Sequence, residues 1–226
     1  MNRRRNVPVI AIDGPSGSGK GTIACKVAKA LGYHLLDSGA LYRLVALSAQ
    51  TSGVSLQDGQ KLAELAHDLD ARFDVNEDGE ERIWLGDEDV TTLIRTEETG
   101  AGASTVAQIS AVRQALFERQ RAFQQAPGLV ADGRDMGTHV FPQASLKIFL
   151  TASAEERARR RHKQLKDKGL DVSLAALSRD IEDRDRRDSE RSVAPLRPAE
   201  DARILDSSGQ SIEAVTQTVL DWVANL

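Results

Sequence analysis

The sequence has one cysteine and few aromatic residues. Cys25 stands alone in 226 residues, which excludes an internal disulfide and favours a reducing compartment. Aromatic residues make up 4% of the chain, and the formal net charge is −4. Proteins that bind nucleic acids usually combine a basic excess with interleaved aromatic side chains, so we expect no nucleic-acid partner.

Long hydrophobic runs are also missing. No stretch approaches the length of a transmembrane helix. The apolar run behind Arg3, Arg4 and Arg5 is too short for the core of a signal peptide, so we expect a cytoplasmic protein that does not attach to a membrane. The histidines show no metal-ligand spacing. They are His34, His67, His139 and His162.

The remaining composition is typical of a globular protein, with 40% hydrophobic and 28% charged residues. The length favours one domain, residues 1–226, with a sizeable core. Short apolar runs alternate with helical patterns, which predicts an α/β fold with a five-stranded parallel sheet flanked by helices. The runs are Val7–Ile12, His34–Leu36, Leu129–Ala131, Leu146–Leu150 and Arg203–Leu205.

A glycine-rich segment follows the first apolar run and precedes a helical pattern that Gly32 would end. This strand–loop–helix setting is the one that a P-loop requires. Backbone N–H groups of such a loop can point at one anion, and Lys20 and the helix dipole add to the attraction. A chance glycine-rich turn is the alternative. The segment reads Gly14, Pro15, Ser16, Gly17, Ser18, Gly19, Lys20, Gly21 and Thr22.

One position departs from the general P-loop pattern. Gly21 stands where the pattern has Ser or Thr, so we predict that Thr22, the next residue, supplies the hydroxyl ligand to Mg²⁺. The Gly-Lys-Gly-Thr form resembles nucleoside monophosphate kinases rather than GTPases or motor ATPases. An Asn-Lys-x-Asp guanine-reading motif is also missing from the sequence.

Two further polar groups follow strand ends, Asp37-Ser38 and Asp132–Asp135. Ligands of parallel sheets bind outside the carboxyl ends of the strands, so we expect these groups and the glycine-rich loop to meet in one crevice. Arg43, one turn into the next helix, and Arg134 are placed to reach a phosphate there. Arginine suits this work because its planar fork holds phosphate oxygens in pairs.

The segment Ala71–Val90 interrupts the α/β alternation. Arg72–Val75, the turn Asn76–Gly79 and Arg82–Leu85 predict an antiparallel hairpin, to which Glu88–Val90 adds a third strand. We therefore predict a small antiparallel β lobe inserted between the second and third strands of the parallel sheet.

Two helices of the C-terminal third are rich in arginine. Ser153 and Glu156 form a capping box, and the helix behind them carries Arg157, Arg160 and Arg161 on one face. A second helix begins near Ser173. Its inner face is apolar at first and then becomes charged, which favours a polyanionic ligand. That face carries Leu174, Leu177, Ile181, Arg184, Asp188 and Arg191.

Taken together, these segments closely resemble bacterial cytidylate kinases, and the resemblance covers nearly the whole chain. Outside the glycine-rich loop, the matching pieces are more specific than that loop. They are Leu35 to Arg43, Ala131 to Thr138 and Val193 to Leu196. Ile12 to Gly17, which overlaps the loop, also matches.

The resemblance implies transfer of the γ-phosphoryl group of ATP to CMP or dCMP in pyrimidine nucleotide metabolism. Its site residues fall into four groups. ATP is bound by residues 14–22 and Arg157. CMP phosphate is bound by Arg43, Arg134 and Arg191. By the same resemblance, Ser104, Arg113 and Asp135 would read the cytosine, with Ser38 nearby, and Arg184 and Asp188 would contact the ribose. Lys20, Arg134, Arg161 and Arg191 are the predicted catalytic residues, with Mg²⁺ as cofactor.

The resemblance also divides the chain into functional parts. The core comprises residues 1–37, 116–152 and 192–226, the inserted monophosphate-binding lobe about 38–115, and a short helical lid about 153–172. We expect a monomer with small-molecule substrates. A kinase for another acceptor, a GTP-dependent switch protein and a nucleotide-binding protein without catalysis remain the alternatives.

Overall fold

The computed structural model describes residues 7–75, 81–167, 169 and 171–226. Its strands are β1 Val9–Asp13, β2 His34–Asp37, β3 Ala71–Val75, β4 Glu81–Leu85, β5 Glu88–Asp89, β6 Leu129–Gly133, β7 Leu146–Thr151 and β8 Arg203–Asp206. Its α-helices are α1 Lys20–Leu31, α2 Ser38–Thr51, α3 Gly59–His67, α4 Glu97–Val106, α5 Ser110–Ala122, α6 Ala154–Asp167, α7 Leu174–Ser189 and α8 Ile212–Ala224. A 3₁₀ turn, Leu93–Arg95, and a π-helical turn, Met136–Val140, complete the elements.

Contacts divide the described chain into two compact units. The first combines the segment that ends at Asp37 with the segment from Arg121 onward, and the second is Ser38–Gln120. The first unit contains the parallel sheet, and the second contains the small antiparallel sheet. None of the described helices is long and apolar enough to cross a membrane.

The first unit is built on a five-stranded sheet with the order β2-β6-β1-β7-β8, and all four neighbouring pairs are parallel. Every residue of β1 and β6 is buried, which explains why these strands are almost continuously apolar in sequence. Ile10, Ile12, Val130 and Ile148 pack with α1 and α8 in one hydrophobic core. The predicted five-stranded parallel sheet is confirmed.

The strand register brings the predicted polar groups to one edge of this sheet. Asp37 is paired with Asp132, and Asp13 with Gly133, at the carboxyl ends of three neighbouring parallel strands. Gly14 follows Asp13 directly. The expected meeting of the polar strand ends is therefore confirmed for the residues of the first unit.

The second unit combines helices with the predicted antiparallel sheet. Its strand order is β3-β4-β5, with Phe73 opposite Ile83 and Trp84 opposite Asp89. Helix α4 packs closely on α2, since a Cβ atom on Gly102 would lie 3.1 Å from the Cβ of Ala46. The prediction of the three-stranded lobe is confirmed. Its turn Asn76–Gly79 lies outside the described residues, as do Arg3, Arg4, Arg5 and Lys168.

The predicted caps at Gly32, Ser153 and Ser173 are also confirmed. The capping box is only half formed, because the Ser153 N–H donates to Oγ of Ser208 at 3.1 Å while the Glu156 carboxylate accepts from Arg160. Gly32 caps α1 with a φ of 65°, in the left-handed region that glycine adopts without strain. The Ser153 hydroxyl accepts a hydrogen bond from the Glu156 N–H at 3.2 Å, and Ser173 accepts from the Ala176 N–H at 3.4 Å. These two caps fix where the arginine-rich helices α6 and α7 begin.

Candidate nucleotide site

The glycine-rich loop connects the buried strand β1 to helix α1. Gly17 and Gly19 have φ values of 77° and 90°, a region that other residues rarely adopt. The loop therefore needs glycine at both positions to turn from the strand into the helix. Gly19 lies at the N-terminal cap of α1, where free N–H groups and the helix dipole favour an anion.

Lys20 begins α1, and its side chain is buried. Its Nζ donates to the Pro15 carbonyl at 3.2 Å and lies 4.0 Å from Oδ1 of Asp132. Burial lowers the pKa of Lys20 to about 8; the positive charges of Arg134 and Arg184 act in the same direction, and the carboxylate of Asp132 opposes them. A bound polyanion would restore the charged form of this lysine.

Asp188 lies between two arginines near the end of α7. Its Oδ2 accepts from Nε of Arg134 at 2.8 Å, and its Oδ1 lies 3.7 Å from Nη2 of Arg191. Burial acts to raise the pKa of Asp188, but Arg134 and Arg191 outweigh it and the pKa lies below its usual value. Arg184 also contributes to this field. The ionised carboxylate orients the Arg134 guanidinium, and Nε of Arg191 donates to the Asp188 backbone carbonyl at 3.2 Å.

The Arg134 guanidinium is partly buried within the same group. Burial acts to lower its pKa. The charge and hydrogen bond of Asp188, together with the charges of Asp132 and Asp185, outweigh this effect and raise the pKa of Arg134 above its usual value. It also donates to the Gly133 carbonyl at 3.3 Å. The first unit thus brings together five of the predicted site residues beside the glycine-rich loop. They are Lys20, Arg134, Arg184, Asp188 and Arg191.

Asp135 is buried at the cap of the π-helical turn Met136–Val140. Asp13 holds the backbone of the next two residues, Met136 and Gly137. Its two carboxylate oxygens accept from their N–H groups, both at 2.8 Å. Burial raises the pKa of Asp13 to about 7, although these hydrogen bonds oppose the shift. Sequence reasoning missed this role, because Asp13 was noted only as part of a family motif.

The lid arginines differ in their surroundings. Arg157 is buried, and it donates to the carbonyls of Ala152 and Ser16 and to Asp185. These hydrogen bonds are to the protein itself, and the contact of Arg157 with ATP stays a prediction. Arg161 donates to Gln164 at 3.2 Å on the same helix and is only partly buried.

The remaining predicted residues lie in the second unit. Arg43 donates to the Ile94 carbonyl at 2.6 Å and to the Thr96 carbonyl at 3.3 Å. Buried Arg113 donates to the Tyr42 hydroxyl at 3.3 Å. Tyr42 was not singled out as a functional residue, and its pairing with a residue 71 positions away leaves no signal in sequence spacing.

Two serines of the second unit are buried. Ser38 begins α2, and Ser104 lies near the end of α4. The hydroxyl of Ser104 is buried and has no hydrogen-bond partner among the described residues. An unpaired buried hydroxyl is costly, and a polar ligand group would remove that cost.

A glycine-rich loop between a buried parallel strand and a helix, with a buried lysine in the first helical turn, defines a P-loop protein. Proteins of this class hold nucleotide phosphates. The family model described as Cytidylate kinase matches residues 10–225, so the chain belongs to the cytidylate kinase family. It is therefore an enzyme of the nucleoside monophosphate kinase class.

Similar proteins carry the same name. The cytidylate kinase of Pseudomonas paraeruginosa PA7 is 61% identical over 215 residues, which cover 95% of this chain and 94% of that protein. The cytidylate kinase of Stutzerimonas stutzeri A1501 is 60% identical over 220 residues, covering 97% and 96%. Among solved structures, a gluconokinase from Sinorhizobium meliloti 1021 is 16% identical, covers 98% of this chain and 94% of its own, and has a TM-score of 0.49.

Proposed function

We propose that the chain transfers the γ-phosphoryl group of ATP to CMP or dCMP, which gives CDP or dCDP. The observation that carries this proposal is the partly buried group of positive side chains beside the glycine-rich loop. There Lys20 lies in the electrostatic field of Arg134 and Arg184, and Asp188 orients two arginines. Positive charges in this arrangement can bring two anionic substrates together.

The donor site is assigned to residues 14–22. Backbone N–H groups of the loop hold the ATP phosphates, and Lys20 reaches the phosphoryl group that is transferred. Arg161 is assigned to the same phosphoryl group from α6. Each of these groups adds positive charge where negative charge develops in the transition state.

The loop also fits the magnesium ion that kinases use with ATP. Thr22 supplies a hydroxyl, and Oδ2 of Asp132 lies 3.1 Å from where a Cβ atom on Gly21 would be. Mg²⁺ is usually held by one or two protein oxygens together with substrate phosphates, and these two residues fit that pattern. When bound, the ion screens the negative charge of the phosphates.

The acceptor roles are those that the resemblance to cytidylate kinases implies. We assign Arg134, Arg191 and Arg43 to the phosphate of CMP. Arg184 and Asp188 are assigned to the ribose. The base is assigned to Ser104, Arg113 and Asp135, with Ser38 nearby. A carboxylate such as Asp135 suits the exocyclic amine of cytosine, which uracil lacks.

Little acid–base chemistry is needed in this reaction. A nucleoside monophosphate is already largely dianionic near neutral pH, so its oxygen needs no strong general base. The obstacle is the repulsion between two anions, which Lys20, Arg134 and Arg191 reduce. Water must be excluded so that ATP is not hydrolysed, and we assign this task to a lid at about residues 153–172.

The functional parts of the chain are proposals of the same kind. We assign monophosphate binding to the inserted lobe at about residues 38–115, and phosphate transfer to the core segments 1–37, 116–152 and 192–226. We also propose that the enzyme acts as a monomer in the cytoplasm.

The direct test measures ADP release from Mg-ATP with CMP, dCMP, UMP, AMP or GMP, beside a control without acceptor. We expect fast release with CMP and dCMP and slow release with the others. Comparable rates with AMP or UMP would overturn the assignment of Asp135 to the base. Equal release without an acceptor would contradict phosphoryl transfer to a nucleotide altogether.

Replacement of Asp188 separates its two assigned roles. Asp188→Ala removes the partner of Arg134, so the KM of both CMP and dCMP should rise. The KM of CMP should rise further, by roughly an additional fivefold, because only CMP has a ribose 2′-hydroxyl for the carboxylate to accept from. Steady-state kinetics with both substrates measures the difference. An equal rise in the KM of CMP and of dCMP would reject the ribose contact.

A further inference from the structure

Helix α6 is joined to the glycine-rich loop through Arg157. Its Nη1 donates to the Ser16 carbonyl at 3.1 Å, while its Nη2 donates to Oδ2 of Asp185 at 2.6 Å. Nε donates to the Ala152 carbonyl at 3.0 Å. A Cβ atom on Gly17 would lie only 3.2 Å from the Cβ of Arg157, so the loop packs directly on this side chain.

Arg160, one helical turn further on, makes the same kind of contact. Its Nη1 donates to the Ser18 carbonyl at 3.2 Å, and its Nη2 donates to the Ser207 carbonyl at 2.7 Å. The Ser207 hydroxyl donates to the same Ser18 carbonyl at 3.0 Å. Glu156 pairs with Nε of Arg160 at 3.0 Å, so this guanidinium is fixed on several sides.

The contacted carbonyls determine where two N–H groups of the loop point. A trans peptide unit is planar, and its C=O and N–H point in opposite directions. The Ser16 carbonyl shares its peptide unit with the N–H of Gly17, and the Ser18 carbonyl shares its unit with the N–H of Gly19. Holding each carbonyl on an arginine therefore aims the N–H of the next glycine away from that arginine.

This control is needed because the loop residues concerned are glycines. Gly17 and Gly19 have φ values of 77° and 90°, but glycine can also adopt many other backbone angles at little cost. Without an external hold, each peptide unit could rotate and turn its N–H away from a phosphate. A charged donor makes a stronger hydrogen bond to a carbonyl than a neutral donor does, so arginine is well suited to this hold.

We propose that Arg157 and Arg160 are positioning residues of the donor site. They hold the Ser16 and Ser18 carbonyls so that the N–H groups of Gly17 and Gly19 face the phosphates of ATP, and they do not bind ATP themselves. The proposal rests on the proposed function, because it requires nucleotide phosphates in the loop.

The test compares Arg157→Lys and Arg160→Lys with the unchanged protein by calorimetric binding of ATP, ADP and CMP. In both variants the affinities for ATP and for ADP should fall by the same factor, roughly tenfold. The reason is that the loop loses an ordered N–H group, whichever of the two nucleotides is bound. CMP affinity should stay within about twofold. Arg159→Lys is the matched control, since Arg159 is exposed on the same helix and should leave all three affinities unchanged.

Amide hydrogen exchange of the ligand-free proteins provides a second measurement. The peptide that covers residues 14–22 should exchange faster in Arg157→Lys and Arg160→Lys than in Arg159→Lys. An arginine that only touches ATP would leave this exchange unchanged in the absence of nucleotide. Faster exchange confined to the loop therefore supports the positioning role.

The possible outcomes separate this inference from the proposed function. A larger loss of affinity for ATP than for ADP would show that the arginine contacts the terminal phosphoryl group. This result would overturn the inference. Unchanged affinities, or equal losses for ATP, ADP and CMP, would overturn it as well. Failure of the unchanged protein to bind ATP and CMP would instead contradict the proposed function.

Discussion

Lys20→Ala should lower kcat by about a thousandfold, which corresponds to about 4 kcal/mol of transition-state stabilisation. The Lys20 ammonium begins α1 and is held beside Asp132 and the Pro15 carbonyl, so it is fixed where the phosphates are proposed to bind. Alanine keeps the helix but removes the ammonium charge that stabilises the phosphoryl group during its transfer. Initial rates at saturating ATP and CMP measure the loss.

The fold should survive this replacement. Burial lowers the pKa of Lys20 to about 8, below its unfolded value of 10.5. The charged lysine therefore weakens the folded state below about pH 8, and this cost is relieved as the pH rises from 8 to 10.5. Removing the ammonium at pH 7 should leave the Tm unchanged or slightly raised. Asp132 keeps a positive neighbour in this variant, because its charge also acts on Arg134.

Lys26→Ala is the matched control for this prediction. Lys26 lies on the same helix, but its side chain is half-exposed and pairs loosely with Glu213 at 3.9 Å. Its replacement should leave kcat within about twofold. A Lys20→Ala protein with nearly normal turnover would contradict the assignment of the glycine-rich loop to ATP, whatever the result for Lys26.

Much of this site could be predicted because its signals are local in sequence. The loop needs glycines where φ is positive, and a lysine in the first helical turn, so a short pattern identifies it. The charged inner face of α7 was predicted from helical spacing, and Leu177, Ile181 and Asp188 are indeed buried on that face. The prediction was wrong at both ends of the face, because Leu174 is exposed and α7 ends at Ser189, before Arg191. In both cases the backbone geometry alone decides which side chains share a face.

The contacts that hold the loop could not be predicted in the same way. Arg157 meets Ser16 across 141 positions of sequence, and Ser207 meets Ser18 across 189. Their partners are backbone carbonyls, which every residue possesses, so no residue type marks the acceptor. Sequence spacing placed Arg157 on the same helix face as Arg160 and Arg161. Only the packing of α6 on the loop shows which atoms its guanidinium contacts.

Asp13 should make the stability of this protein fall as the pH rises from about 4 to about 7. Its pKa is raised from 3.8 to about 7, first by burial and then by the charges of Asp135 and Asp132. Between these values the folded chain binds a proton that the unfolded chain releases, so the free energy of unfolding decreases with pH. From pH 5 to pH 8 the Asp13 contribution falls by about 3 kcal/mol.

Asp13→Asn removes this dependence, because the amide does not titrate. Urea unfolding gives the free energy of unfolding of both proteins at pH 5 and at pH 8. From pH 5 to pH 8, this free energy should fall by about 3 kcal/mol more in the unchanged protein than in the variant. Asp87→Asn, at an exposed residue beside β5, is the control that should follow the unchanged protein. If the free energy of unfolding changed equally between pH 5 and pH 8 in the unchanged protein and in Asp13→Asn, the raised pKa of Asp13 would be contradicted.

The same carboxylate should also affect catalysis through the backbone that it holds. Asp13 accepts from the N–H groups of Met136 and Gly137, directly behind Asp135. Asparagine has one oxygen in place of two, so Asp13→Asn must direct an NH₂ group at one of these donors. The backbone behind Asp135 should then shift, and the KM of CMP should rise more than the KM of ATP. Equal changes in both KM values would indicate a general loss of structure and would contradict this positioning role of Asp13.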